Sequence, residues 1–140
     1  MRIAILLCSL FLINAVTTLA QDVTGTWHGF QISRDNGKYH EYRITLDFKV
    51  NRDNDVTGTM QLKSPAKGVI TSSFTGTFDE KENLIYLTED KILTAGITTN
   101  DANLCKYVLK VGKNTLKGTG RARNKGYDYL ELRLQRENVY

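Results

Sequence analysis

Proline and tryptophan each occur once in the 140 residues, and cysteine, histidine and methionine twice each. Each scarcity excludes something. The single proline, Pro65, falls in the turn-rich stretch Ser64-Pro65-Ala66-Lys67-Gly68, so no strand is interrupted by a residue that cannot donate to a ladder. His28 and His40 have no neighbouring Cys, His or Asp at metal-ligand spacing, and a site needs several donors in fixed geometry. No Gly-x-Ser-x-Gly elbow, phosphate loop or acid/base carboxylate pair is present, so neither an enzyme nor a cofactor is expected.

No apolar run is long enough for a confident membrane-spanning helix. The longest, Ile3 to Leu12, follows Arg2 and leads to Thr18-Leu19-Ala20. One positive charge, an apolar middle and a small residue before Gln21 are the layout of a secretory signal. We therefore expect a signal peptide over 1–20, a mature domain over 21–140 and a secreted or periplasmic location. Removing Arg2 leaves 18 basic residues against 15 acidic ones, a net charge of +3. That balance is mild and points to neither nucleic acid nor strong membrane attraction. Cleavage also removes Cys8, and Cys105 alone has no disulfide partner within the chain. It is either a reactive or intermolecular thiol, or a small apolar residue buried in a strand.

What is present is alternation. Tyr42, Ile44, Leu46, Phe48 and Val50 alternate with charged or hydroxyl residues, as do Cys105, Tyr107, Leu109 and Val111, and Leu130, Leu132 and Leu134. A period of two is the mark of a half-buried strand. Turn formers separate such runs, at Asp35-Asn36-Gly37-Lys38, Asn51 to Asp55, Asp79 to Asn83, Gly112-Lys113-Asn114 and Asn124-Lys125-Gly126. We read eight strands, at 22–32, 39–50, 55–63, 69–78, 84–93, 104–111, 115–123 and 128–136. One connection, 94–103, is longer and polar, and reads as either a mouth loop or a plain surface connection.

Four strands carry an apolar–x–Gly–Thr unit: Val23-Thr24-Gly25-Thr26, Val56-Thr57-Gly58-Thr59, Phe74-Thr75-Gly76-Thr77 and Leu116-Lys117-Gly118-Thr119. Residues i and i+2 share a face, so each Gly lies on the apolar side. A glycine there weakens a strand unless the backbone must bend or approach closely. The pattern predicts a small, strongly coiled antiparallel meander. Closing it into an eight-stranded up-and-down β-barrel hides both the apolar face and the edges. A two-sheet sandwich is the competing architecture.

The segment Val23-Thr24-Gly25-Thr26-Trp27 places a Gly-x-Trp at the start of the first strand. With eight strands and a basic residue near the end of the last, this resembles the calycin superfamily of lipocalin-like and avidin-like barrels. The resemblance implies that Trp27 plugs the closed end and that an Arg of the last strand packs over its ring. Arg136 shares strand phase with the leucines and is the first candidate; Arg133 is the second. The several tryptophans of biotin-binding avidins are absent, and His28-Gly29 stands where those proteins carry an Asn, so no biotin ligand set is carried over. The overall style also looks like small exported bacterial proteins.

An inward set that includes Tyr42, Ile44, Phe48, Met60, Phe74, Phe78, Tyr107 and Leu132 would line either a cavity or a packed core. As ligand-binding candidates we take Tyr42, Phe48, Phe74, Tyr86 and Tyr107, with Trp27 and Arg136 structural. Strand five is apolar on both faces at Leu84 to Leu87, then packs Glu89, Asp90 and Lys91 together. A regular strand must turn one of these charges inward, with Arg121, Arg123 or Lys91 as candidate partner; a bulge or a solvated strand end avoids that. Lys106, Lys110, Lys117 and Arg121 share one face of neighbouring strands and would merge into a basic patch for an acidic protein or glycan, or simply solvate the outside. The expected role is a lipocalin-like binding protein for a small, partly apolar ligand. The alternative is a barrel acting through its surface, such as an inhibitor of a protease or lysozyme.

Overall fold

The computed structural model describes residues 22–35, 37–65, 68–95, 104–122 and 129–138. The expected signal segment, most of the 94–103 connection and Arg123 lie outside them. The strands are β1 (Gly25–Asp35), β2 (Lys38–Val50), β3 (Asp55–Ser64), β4 (Gly68–Asp79), β5 (Leu84–Ala95), β6 (Cys105–Val111), β7 (Thr115–Ala122) and β8 (Tyr129–Arg136). Each pairs antiparallel with its sequence neighbours, and β8 pairs with β1, so the sheet is a closed up-and-down barrel. The sandwich alternative is therefore excluded.

Alternation sets which face each strand buries. In β6 the pattern is strict: Cys105, Tyr107, Leu109 and Val111 are buried while Lys106, Val108 and Lys110 are exposed. The inner faces of all eight strands form one core, which includes Trp27, Leu46, Val56, Phe74, Ile85 and Leu132. Burying side chains of this size stabilises by about 1.5–3 kcal/mol each before chain entropy is subtracted.

The inner glycines act through close approach. A Cβ on Gly76 would overlap the carbonyl oxygen of Tyr86 on β5, and one on Gly118 would overlap that of Val108 on β6. Gly58 meets β2 in the same way, at Asp47 and Phe48. Strong coiling brings a neighbour's backbone to where a side chain would start. Gly25 differs: a Cβ there would make only an ordinary contact with the Arg136 guanidinium at 3.8 Å, but its φ of +136° is one that side chains rarely adopt. Gly29, outside the four Gly-Thr units, sits tightly against the β8 backbone at Arg133.

The turns β2–β3, β4–β5 and β6–β7 gather at one end with Val23 and Trp27, and the opposite ends of the strands form the other end of the barrel. The Trp27 end is closed by side chains. Trp27 is fully buried, and its Nε1–H donates to the Val23 carbonyl at 3.1 Å. Arg136 lies opposite Trp27 in the β1–β8 register, and its Nη2 donates to the Thr24 carbonyl at 2.6 Å. The incoming chain is pinned further where Val50 N–H donates to Thr24 Oγ1 at 3.0 Å. Arg133 instead faces outward and pairs with Glu131 at 2.6 Å.

Candidate functional site: the polar interior near the open end

Trp27 sets the phase of β1, so Gly29, Gln31 and Ser33 must follow it inward. This half of β1 is therefore inverted, with Gln31 buried at 5 % exposure and Phe30 outside at 45 %. Gln31 lies between Tyr42 on β2 and Leu132 on β8. Its Oε1 accepts from the Tyr107 hydroxyl at 3.4 Å, across 76 residues of sequence. Tyr107 reaches that point because its ring lies over Gly120, where a Cβ would overlap ring carbons.

Glu89 is the second buried polar residue, 7 % exposed. Phe74 is its register partner, and the register shifts between Ser73 and Phe74, so Asp90 is passed over. The bulge leaves Glu89 inside and both Asp90 and Lys91 outside. Of the two outcomes open for this strand, both occur: a charge turns inward and a bulge follows it. Ser72 Oγ–H donates to Glu89 Oε1 at 2.6 Å, and the Cys105 N–H donates to Oε2 at 2.6 Å. Of the cations expected to pair with it, Lys91 and Arg121 face solvent. Burial raises the Glu89 carboxyl above its ordinary range, against the lowering effect of those hydrogen bonds. Burial also pushes the Tyr107 hydroxyl well above its ordinary range, with Glu89 adding to the effect, so Tyr107 stays neutral. Cys105 is buried beside this carboxyl with no disulfide.

Inner-face burial changes along the barrel. Ile44, Met60 and Ser72 are buried, whereas Tyr42, Leu62 and Ile70, each one step further from Trp27 on the same strands, are half-buried. Ile92, opposite Ser72 and next inward after the Asp90 bulge, is half-buried too. A polar floor of Gln31, Ser72, Glu89 and Tyr107 thus meets an apolar rim.

The five ligand candidates separate. Tyr42 is on the rim, and Tyr107 and Phe74 are at the floor. Phe48 packs edge-to-face with Phe74, ring centroids 6.4 Å apart, on the closed-end side of Leu46, the partner of Trp27. Tyr86 must be corrected: it stands on the outer face, 43 % exposed, and cannot line the interior. Ile85 and Leu87 take the inner phase, and with apolar residues on both faces of that strand, hydrophobicity did not choose between them. Gln31 and Ser72 were missed because a neutral polar residue among apolar ones looks like an outward position.

On the outside, Lys106 lies opposite Arg121 and Lys110 opposite Lys117, with Val108 beside Tyr86 between them. An open concavity of about 460 Å³ there is lined by Lys106, Val108, Thr119, Gly120, Arg121 and Ala122. His28 is a surface residue bonded to Thr45 Oγ1 at 3.0 Å, and no group of three metal-ligating side chains occurs among the described residues. No helix among them is long and apolar enough to cross a membrane.

No protein-family model and no curated protein matches the sequence. The chain is similar in structure to Rv2717c from M. tuberculosis, at 16 % identity and a TM-score of 0.50, covering 82 % of this chain and 92 % of that one. At that identity the likeness carries the fold, an eight-stranded antiparallel barrel, and no activity.

Proposed function

We propose that this is an exported, non-enzymatic, calycin-like barrel that binds a small, partly apolar ligand through the end opposite Trp27. The observation that carries the reading is the burial gradient on the inner face. Tyr42, Leu62, Ile70 and Ile92 are half-buried at the end of the inner face away from Trp27, one step beyond positions that are buried. Half-exposed apolar side chains ringing a few convergent polar groups are what a small-molecule site requires. Titration with the fluorescent apolar probe N-phenyl-1-naphthylamine tests it. A saturable one-to-one signal, lost in Ile70→Glu with the circular dichroism spectrum retained, is expected. A signal that never saturates, or that Ile70→Glu leaves intact, refutes it.

A second reading, a surface-acting barrel such as a hydrolase inhibitor, is favoured by one observation. Tyr86 and Val108 are exposed neighbours on the outer face, flanked by Lys106 and Arg121. An aromatic centre with a basic surround suits an acidic protein partner. Charge reversal at Lys106 and Arg121 together should abolish capture of such a partner while leaving probe binding inside the barrel unchanged.

A further inference from the structure

Gln31 has more hydrogen-bonding capacity than the fold uses. Its side chain is nearly fully buried, and among the described residues its one polar contact is Oε1 with the Tyr107 hydroxyl. Among the described residues, both N–H groups on Nε2 are left without an acceptor. A buried donor without a partner costs about 1–3 kcal/mol, and native chains keep few of them. Glu89 is differently placed: each of its oxygens already accepts a short bond, from Ser72 and from the Cys105 amide. At this floor the unmet demand is therefore for an acceptor.

We infer that the ligand enters head-first, an uncharged carbonyl-type oxygen accepting from the Gln31 amide and an apolar body lying against Tyr42, Leu62, Ile70 and Ile92. This rests on the small-ligand reading above and adds the chemistry of the head group. A carboxylate head is disfavoured because it would enter beside the Glu89 carboxyl, and no inner-face residue named at this level is cationic. An ammonium head would have only the Glu89 oxygens to donate to, each already accepting a bond, and would leave the Gln31 amide unmatched. A neutral amide or ketone supplies the missing acceptor and carries no charge to desolvate.

The test uses three probes of equal chain length, octanamide, octanoate and octylamine, titrated calorimetrically into the intact chain. Octanamide should bind about tenfold or more tighter than the other two, because a site built to hydrogen-bond rejects analogues that leave its groups unmatched. Gln31→Leu should weaken octanamide about tenfold and so erase that preference. In the wild-type protein the Gln31 side-chain amide resonances should shift on adding octanamide, a readout that does not depend on the variant folding. Equal affinity for all three, tightest binding by octylamine, or unmoved Gln31 resonances in an octanamide complex overturn the inference and leave the small-ligand reading standing. Failure of all three to bind removes both.

Discussion

The guanidinium carbon of Arg136 lies 5.4 Å from the centroid of the Trp27 ring. The two residues are register partners across the β1–β8 seam that closes the cylinder. Seam, plug and N-terminal segment are thus held by one contact set. Arg136 stacks on the indole and bonds the Thr24 carbonyl, while the indole N–H bonds Val23.

Trp27→Ala should destabilise by about 3–5 kcal/mol, since it empties the most buried large side chain of the closed end. Arg136→Ala should cost about 1–3 kcal/mol through the lost charge-assisted bond and the exposed indole. Arg136→Lys should recover only part, because an ammonium cannot both stack and donate in a fork. Urea unfolding followed by far-ultraviolet circular dichroism ranks the three. Equal stability of Arg136→Ala and wild type would remove Arg136 from the closure.

Gly120 and Gly76 should respond differently to alanine. Gly120→Ala meets the Tyr107 ring, which can shift, at a cost of about 1–3 kcal/mol and the bond to Gln31. Gly76→Ala meets the Tyr86 carbonyl, which is ladder backbone and cannot give, so its loss should be larger. Thermal unfolding of both variants checks the order, and the reverse order would refute it.

Glu89 makes stability depend on pH in a stated direction. Its carboxyl is raised by burial above the ordinary value of 4.5. The folded chain therefore keeps that proton after the unfolded chain has released it, and stability falls as pH rises between the two values. Relative to Glu89→Gln, the wild type should lose stability from about pH 4.5 up to the raised folded value and then level off. Denaturant midpoints for both proteins across that range measure it. A constant difference would show that the carboxyl is not raised.

The outer face pairs like charges, Lys106 with Arg121 and Lys110 with Lys117. Neither Lys106 nor Arg121 has an ion-pair partner among the described residues. Lys106→Glu should stabilise by about 0.2–1 kcal/mol by placing opposite charges across the pair. The gain should shrink in high salt, where exposed charges are screened. Melting curves at low and high ionic strength decide it.

The strands were legible because each exposes one face to water, which writes a period of two into Tyr42 to Val50 and Cys105 to Val111. Strand five was legible as a strand but not in phase. Leu84 to Leu87 are apolar on both sides, and the bulge at Asp90 resets the face after Glu89. The floor was less legible still. Gln31 is inward only because Trp27 is, and its partner Tyr107 is brought near by β8 and β7 lying between β1 and β6.

Local chemistry was sufficient for the eight strands, their turns and the inner position of the Gly-Thr glycines, since alternation and turn propensity act within a few residues. The closing of β8 onto β1, the stacking of Arg136 on Trp27 and the gathering of Gln31, Ser72, Glu89 and Tyr107 were decided in three dimensions. Those relations depend on register between strands far apart in sequence, and register is set by how the whole inner face packs, not by any one segment.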